Sequence, residues 1–453
     1  LSIIDTSNAA NQPFKDTSGK FTIVFNGEIY NFKEHRKTLE KNGIQFRTES
    51  DTEVLLELYK IHKSETPKLL NGFFAFAIYD QQVGELFMAR DRYGIKPLFF
   101  YEDNQQYCFA SELKALMELN IEKSPDYRSI YRYFQLNYIP GTDTIFKKVK
   151  QVEPGTSILI SQKGLTRRKY YNLPAEPTFE GGYNEACQKL KGLMYKAVER
   201  RLISDVPLGS FLSGGIDSSI IATLTARINP NIESFSIGFP DEPYYDETKY
   251  AKAVAKNAGL KHHIINIHSD DMLKALPDVL SYMDQPFADS SALPMFMLSR
   301  EIRKHVTVAL SGDGADELFG GYRKHMAHKK AQNHTLINQL IKSAGPILEM
   351  APQSRQNKIA DKARQAARFS QGIKLKGVDR YWFWASISSE KYVNKLLQFE
   401  QTNSINEPWE GLGLDIPMKH QLHHILNADL KMLLPGDMLT KVDRSEEHTS
   451  ELQ

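Results

Sequence analysis

A short loop of small residues carries the most specific chemical signal in this chain. Residues 213–219 have the sequence Ser-Gly-Gly-Ile-Asp-Ser-Ser, between an apolar segment that predicts a buried strand (206–212) and an Ala-rich segment that predicts a helix (220–227). Such a loop directs unpaired backbone N–H groups and the positive end of the helix dipole to one point. The pattern predicts a phosphate or pyrophosphate site, with a plain glycine-rich turn as the alternative.

The same loop contains an acid and no lysine, unlike a phosphate loop of the Gly-x-x-x-x-Gly-Lys-Ser/Thr type. The acid is Asp217, which would repel the phosphates of a nucleotide on its own. Because Mg²⁺ prefers carboxylate and phosphate oxygens, we expect Asp217 to act through a bound Mg²⁺ ion.

A second loop, residues 311–317, has the sequence Ser-Gly-Asp-Gly-Ala-Asp-Glu and follows another predicted strand (306–310). Its three acids repel one another unless a cation lies among them. Between 183 and 444, predicted strands alternate with helices, which indicates a parallel sheet whose carboxyl ends open onto one crevice. We expect both loops to face that crevice. A calcium-like or merely solvated acidic turn is the alternative.

The first part of the chain has a different pattern, in which strands follow one another across short turns. Strands are predicted at 21–25, 71–80, 85–92 and 106–112. This order indicates stacked antiparallel sheets flanked by helices, and Ser50 begins one of these helices as an N-cap residue. The dipeptide Asn26–Gly27 follows the first strand, and alone it would indicate a hairpin turn.

Several motifs in this first part resemble, in the same order, the class II glutamine amidotransferase domain. They are Leu-Ser-Ile-Ile-Asp (1–5), Phe-Asn-Gly-Glu-Ile-Tyr-Asn (25–31), Ser-Asp-Thr-Glu (50–53), Gly-Phe-Phe-Ala-Phe-Ala (72–77) and Arg-Asp-Arg-Tyr-Gly-Ile-Lys-Pro-Leu (90–98). The resemblance implies an α+β fold, a four-layer αββα sandwich of the N-terminal-nucleophile type. In that family an N-terminal Cys attacks the glutamine amide and ammonia leaves.

The resemblance also implies roles for individual residues. The Asn26 side-chain amide and the Gly27 backbone N–H would form the oxyanion hole, and Asp51 would bind the α-amino group of glutamine. The pocket would be completed by Glu28 and by a strand that contains Leu1, Ser2, Ile3 and Ile4. The nucleophilic Cys of the family would precede Leu1, so we expect a fragment that cannot hydrolyse glutamine by this mechanism in this form.

The second part resembles the ATP-pyrophosphatase domain of asparagine synthetases, through the two loops and the segment 433–444. The resemblance implies that ATP is bound by Leu212, Ser213, Gly214, Gly215, Asp217, Ser218, Ile237, Ser311 and Gly312. Asp217 and Asp316 would hold Mg²⁺, and Asp313 would act as a base when ammonia attacks the adenylate. Segment 284–291 would bind the acceptor amino acid.

Together the two halves resemble the glutamine-hydrolysing asparagine synthetase family. The implied reaction is the ATP-dependent amidation of aspartate through β-aspartyl-AMP, with ammonia from glutamine. Two alternatives stay open. One is a related amidotransferase that acts on another carboxylate, in sugar or peptide modification or in β-lactam formation. The other is a non-catalytic relic.

The length of 453 residues is too great for one core and predicts at least two domains. We predict an amidotransferase domain at 1–172, a linker at 174–182 and an α/β synthetase domain with a helical cover at 183–444. Residues 445–453 are polar and have no helical or strand period, so we expect a non-native tail and a chain cut at both ends.

The family resemblance implies small-molecule partners, which are glutamine, aspartate and ATP. The formal net charge is +2, which gives no case for nucleic acid or an anionic membrane, and no apolar run is long enough to span a bilayer. Cys108 and Cys187 are isolated, which favours a cytoplasmic protein without disulfides. His262–His263 is expected to be hydrogen-bonded within a strand rather than to form a metal pair. A homodimer stays open.

Overall fold

The computed structural model describes residues 3–333, 336–350, 358–398, 405, 407–419, 421–446 and 451–452. The first domain contains, in chain order, β1 (Phe14–Lys15), β2 (Phe21–Ile29), α1 (Phe32–Lys41), α2 (Asp51–His62), α3 (Thr66–Leu69), β3 (Gly72–Asp80), β4 (Glu85–Arg90), β5 (Phe99–Glu102), β6 (Tyr107–Ala110), α4 (Leu113–Met117), α5 (Tyr127–Leu136), β7 (Val149–Gln151), β8 (Thr156–Ser161) and β9 (Gly164–Lys169).

The first domain has four layers because its strands direct alternate apolar residues toward two different cores. Its antiparallel strands form a six-stranded sheet of order β1-β2-β3-β4-β8-β9 and a three-stranded sheet of order β6-β5-β7. On β3, Phe74, Phe76 and Ile78 pack with residues of α1 and α2, whereas Ala75 and Ala77 pack between the two sheets. Helix α4 covers the far side of the small sheet. The predicted αββα sandwich is confirmed.

The second domain alternates strands and helices and then continues as a helical cover. Its elements are α6 (Tyr183–Arg201), β10 (Leu208–Phe211), α7 (Ile216–Ile228), β11 (Glu233–Gly238), α8 (Thr248–Ala258), β12 (Lys261–Asn266), α9 (Ser269–Tyr282), α10 (Ala292–Ile302), β13 (Val308–Leu310), α11 (Ala315–Phe319), α12 (Arg323–Gln332), α13 (Leu336–Ser343), α14 (Gly345–Met350), α15 (Lys358–Gly372), α16 (Gly377–Ala385), α17 (Glu390–Leu396), α18 (Gln421–Lys431), α19 (Leu439–Glu446) and β14 (Glu451–Leu452). A π-helical turn, Leu434–Met438, precedes α19.

The second-domain sheet is parallel throughout and has the order β12-β11-β10-β13-β14. Helices cover both faces. Leu212 packs with residues of α7 and α8 in one core, and Phe235 packs with residues of α10 and α19 in another. Strands β10 and β13 are neighbours, so the two loops that follow them leave the sheet side by side. The predicted parallel sheet is confirmed.

Two local expectations are wrong, and the hairpin alternative for Asn26–Gly27 is excluded. Asn26 and Gly27 belong to β2, where they pair with Ala75 and Phe74 of β3. Ile3 and Ile4 form a bend rather than a strand, because the Ile3 carbonyl accepts the N–H of Asp205 from the second domain. Leu1 and Ser2 lie outside the described residues. At the other end, the segment predicted to have no regular structure contains β14, which pairs with β13.

The two domains are joined by buried ion pairs. The Lys96 ammonium lies 3.5 Å from Asp443, and both side chains are less than a tenth exposed. Arg444 lies 3.5 Å from Asp284 and 3.7 Å from Glu112 of the first domain. No helix in the described part of the chain is long and apolar enough to cross a membrane.

A buried arginine of the first domain forms hydrogen bonds with the helical cover of the second domain. The Arg132 side chain is 1% exposed; it donates to the backbone carbonyls of Pro408 (2.6 Å) and Glu410 (2.5 Å) and pairs with Asp143 at 2.6 Å. These acceptors would lose their partner if the guanidinium were removed, and unpaired buried polar groups are costly.

We therefore predict that Arg132→Met lowers the free energy of unfolding by about 3–5 kcal/mol, the usual cost of breaking a buried pair. Tryptophan fluorescence in urea reports this contact, because Trp409 lies between the two carbonyls that Arg132 binds. Arg128→Met is the matched control: Arg128 pairs with Glu410 at 3.0 Å but both side chains are largely solvated, so its loss should cost less than about 1 kcal/mol. Equal effects of the two substitutions would contradict the prediction.

Candidate active sites

The first-domain pocket is a cavity of about 460 Å³ at the end of β2 and the start of α2. It brings together every described residue of the predicted glutamine site: Ile3, Ile4, Asn26, Gly27, Glu28 and Asp51. Two residues of the second domain, Asp443 and Arg444, also line it. No local sequence pattern predicts that the second domain contributes to this pocket.

The conformation of Gly27 explains why a glycine stands beside Asn26. Its φ angle is +143°, and a β-carbon there would lie 2.1 Å from the carbonyl oxygen of Phe73. The two strands therefore approach too closely for any other residue. Asn26 is half-buried at the pocket, and its side-chain amide has no hydrogen-bond partner among the residues that the structure describes. A backbone N–H and an amide donor at this position could stabilise an oxyanion.

Asp51 is an acid buried at a helix start. The Ser50 hydroxyl accepts the N–H of Glu53 and caps α2, which places Asp51 as the first helical residue, 6% exposed. Its carboxylate accepts the N–H of Ile29 at 2.9 Å. Burial raises the pKa of Asp51 to about 7, although backbone hydrogen bonds oppose the shift. A cationic group in the pocket, such as an α-amino group, would restore the ionised form.

The glycine-rich loop of the second domain is held in shape by its own hydroxyl groups. The hydroxyl groups of Ser213 and Ser218 lie 2.9 Å apart, and the Gly215 N–H donates to the Ser213 hydroxyl at 3.2 Å. Gly215 is the N-cap of α7, so the first N–H groups of this helix point toward the loop. Gly214 has φ +87°, and a β-carbon there would lie 2.7 Å from the backbone N of Ala251.

The two loops touch each other. A β-carbon on Gly312 would lie 3.0 Å from the backbone N of Ser218 and 3.3 Å from Asp217. Ser311 precedes this contact directly after β13, and Asp316 lies in the short helix α11 that follows. The expected convergence of residues 213–219 and 311–317 at the carboxyl ends of adjacent strands is thus observed.

Three carboxylates face one another in this crevice. Burial raises the pKa of Asp316 above its ordinary value; the negative charges of Asp217 and Asp313 raise it further, and His325 opposes them. Among the described residues, the three acids do not form a cluster whose ligand atoms all lie within 4.8 Å. These carboxylates repel one another but are too far apart to supply all the ligands of one ion. This arrangement fits Mg²⁺, which is bound through one or two carboxylates together with waters and substrate phosphates. Asp217 and Asp316 fit such a site.

The two apolar residues expected near the nucleotide differ in their placement. Leu212 is 1% exposed and packs in the core beneath α7, so only its backbone can face a ligand. Ile237 is half-buried near the end of β11 and packs against two neighbouring cores. Residue types alone could not separate these two cases.

The segment 284–291 was expected to bind the acceptor amino acid, and its residues make contacts in two separate parts of the structure. Asp284 accepts the N–H of Leu113 and faces Arg444, so it serves the domain interface. Asp289 and Ser291 instead contact the ammonium group of Lys441, at 3.5 and 3.1 Å. Asp437 lies nearby, and burial, reinforced by the charge of Asp289, raises its pKa to about 7. Lys441 and Asp437 were missed, because a contact across 150 residues leaves no local sequence signal.

Comparisons with known proteins cover both parts of the chain. Residues 189–450 match the asparagine synthase family model, and residues 1–171 match that of the glutamine amidotransferase domain. "Asparagine synthetase [glutamine-hydrolyzing] 1" of Bacillus subtilis is 40% identical over 323 residues, 71% of this chain and 51% of that protein. A putative asparagine synthetase of Mycobacterium tuberculosis is 32% identical over 471 residues, 98% of this chain and 69% of that protein.

Among solved structures, the Bacillus subtilis glutamine phosphoribosylpyrophosphate amidotransferase with ADP and GMP is 16% identical, with a TM-score of 0.28, and covers 58% of this chain and 65% of its own. The fold and the family matches define a glutamine amidotransferase domain joined to an ATP-utilising synthetase domain. The chain belongs to the asparagine synthase family. It spans about half the length of the first of these relatives, 51%.

The burial of Asp51 yields a prediction about pH. The pKa of Asp51 rises on folding from 3.8 to about 7. Ionisation of this buried carboxyl therefore lowers the stability of the folded state above pH 7, and this loss of stability is absent below pH 3.8. Asp51→Asn should therefore be more stable than the parent by about 2–4 kcal/mol at pH 8, and the difference should shrink as the pH falls toward 4. Urea midpoints followed by circular dichroism at several pH values measure this.

Asp16→Asn provides a control of opposite sign. Hydrogen bonds from Ser18 and Phe21 and the charge of Lys60 outweigh burial and lower the pKa of Asp16. Its stabilising contribution is present above its unfolded pKa and is lost as the pH falls through the lower folded pKa, so Asp16→Asn should destabilise the protein at pH 8. A loss of stability at pH 8 in Asp51→Asn as well would show that Asp51 has a cationic partner when folded.

Proposed function

We propose that the full-length protein is a glutamine-hydrolysing asparagine synthetase. It would take ammonia from glutamine in the first domain and use it, with ATP, to amidate aspartate in the second. The observation that carries the proposal is the contact of Gly312 with Asp217 and Ser218, because it joins an anion-binding loop to an acidic loop in one crevice. The names of the relatives support the choice of substrates.

The reaction in the second domain would have two steps. An oxygen of the aspartate β-carboxylate attacks the α-phosphorus of ATP, the bond between the α- and β-phosphates breaks, and pyrophosphate leaves. Ammonia then attacks the β-carbonyl carbon of the adenylate, the bond to AMP breaks, and the excess proton passes to a base. Asp313 is our candidate for that base, because it precedes α11 in the acidic loop.

The chain's own residues would bind and orient these groups. Ser213, Gly214, Gly215 and Ser218 would bind the pyrophosphate through N–H and hydroxyl donors, as anions bind at helix N-termini. Ser311 and Gly312 would contact the nucleotide together with the backbone of Leu212 and Ile237. Bound by Asp217 and Asp316, Mg²⁺ would neutralise charge on the phosphates.

In the first domain, Asn26 and Gly27 would stabilise the oxyanion of the glutamine amide, and Asp51 would hold the α-amino group. Glu28, Ile3 and Ile4 would line the pocket with them. Released ammonia must stay shielded from water, since in water at neutral pH it is mostly protonated. The second-domain residues Asp443 and Arg444 in the pocket wall support direct transfer between domains. We also propose a cytoplasmic location, supported by the two free cysteines, Cys108 and Cys187.

The test is release of pyrophosphate and formation of AMP by the full-length protein with ATP, Mg²⁺ and ammonium ions, across a panel of carboxylic acids. Aspartate should be the acid that gives AMP. Asp316→Asn should lower the rate by at least about 100-fold, as removal of one electrostatic group from an active site commonly does. Asp241→Asn is the matched control, because Asp241 pairs with His268 on the surface, and it should retain the parent rate.

Formation of AMP only with another acid would replace the substrate assignment. Unchanged activity in Asp316→Asn would remove the metal assignment. If ATP–Mg²⁺ neither shifts the melting temperature nor yields AMP with any acid, the protein is a relic and the proposal fails.

A further inference from the structure

Two imidazoles and a carboxylate meet at the amino-terminal edge of the parallel sheet, away from both candidate active sites. They belong to His263, His305 and Glu233, whose ligand atoms all lie within 4.8 Å of one another. Among the described residues, this is the one cluster of three or more such groups that could hold a metal ion. We propose that it is a binding site for Zn²⁺ or a similar divalent transition-metal ion.

Strand register places these residues on one face. Side chains alternate along a strand, so Glu233 and Phe235 share a face of β11. His263 pairs with Phe235 across β11 and β12 and lies on that same face. His262 lies on the opposite face, where its ring contacts the hydroxyl groups of Ser234 and Ser236. The rings of His262 and His263 therefore face opposite sides of the sheet and could not bind one ion together.

The two imidazoles are already held close together. The ring of buried Phe235 stacks on His263 at 5.0 Å and contacts His305 at 5.6 Å, and the two imidazole centroids are 5.0 Å apart. The turn that carries His305 is braced by Arg303, which donates to the hydroxyl of Thr307 at 2.6 Å. In a tetrahedral Zn²⁺ site with bonds of about 2.0–2.1 Å, ligand nitrogens lie roughly 3.3 Å apart. Small rotations of the exposed His305 and the partly buried Glu233 and His263 side chains could therefore bring the ligand atoms into place.

The carboxylate is oriented by a second group. Glu233 accepts from Lys261 at 2.5 Å through one oxygen, and its other oxygen lies 2.8 Å from the Nε2 atom of His263. A metal ion would take the place of the proton in this second contact. A neighbour that holds a metal ligand in position is a common feature of such sites.

The ligand types select the metal. Two imidazoles and one carboxylate suit Zn²⁺ and other first-row transition ions, whereas Mg²⁺ prefers oxygen ligands alone. His305 is exposed, so water can complete the coordination and the ion can exchange. Glu233 is the first residue of β11, whose six residues span roughly 17–20 Å. The loops 213–219 and 311–317 leave the opposite edge of the sheet. This site is thus separate from the Asp217–Asp316 pair.

The test is Zn²⁺ titration of the metal-stripped full-length protein by calorimetry, with excess Mg²⁺ present to occupy oxygen-only sites. The parent should bind one Zn²⁺ at this site. His305→Gln should weaken that binding by at least about tenfold, the lower end of what loss of even a supporting group costs a metal site. The side chain is exposed, so the substitution should leave folding intact, and His263→Gln should have the same effect.

His268→Gln is the matched control. His268 also contacts a carboxylate, Asp241 at 3.0 Å, but it belongs to no three-ligand cluster among the described residues. It should bind Zn²⁺ within about twofold of the parent. Absence of saturable binding, or equal binding by His305→Gln and the parent, would overturn the proposal and leave a His–Glu hydrogen bond only. The readout is independent of ATP, so failure here does not affect the proposed function.

Discussion

The backbone contact between Gly312 and the Asp217–Ser218 peptide is the constraint on which the synthetase site depends. The absence of a side chain at position 312 favours it, since a β-carbon would lie 3.0 Å from the Ser218 nitrogen and would force the backbones slightly apart. The contact also requires β10 and β13 to be neighbours in the sheet. Sheet order and glycine placement therefore act together: the first brings two loops to the same edge, and the second lets their backbones touch.

The convergence of the two loops is opposed by repulsion among their carboxylates. The acidic loop brings Asp316 toward Asp217, and burial together with the negative charges of Asp217 and Asp313 raises the pKa of Asp316. The presence of these three acids makes sense where a cation and a polyphosphate supply compensating charge. The first-domain pocket also contains a carboxyl group that lacks compensating charge, because burial alone disfavours the charged form of Asp51.

Local sequence patterns predict the alternating strands and helices of the second domain and the strand–Gly-Gly–helix loop as an anion site. The αββα sandwich and the roles of the glutamine-pocket residues were instead implied by the family resemblance, because no local pattern specifies them. At Asn26–Gly27 the strand β2 continues, because pairing with β3 outweighs the turn preference of the dipeptide. Local patterns could not show that Lys441 reaches Asp289, since this contact depends on elements distant in the chain.

Helix α19 connects the two sites physically. Lys441 contacts Asp289 and Ser291 beside the synthetase crevice, whereas Asp443 and Arg444 line the amidotransferase pocket. Three residues of helix rise span only about 4.5 Å, so these contacts are made by a single turn of a packed helix. Lys96, which is buried, and Glu112, which is one-third exposed, form ion pairs from the first domain with Asp443 and Arg444 on the same turn. One turn of α19 therefore contacts the amidotransferase pocket and residues of the second domain at once.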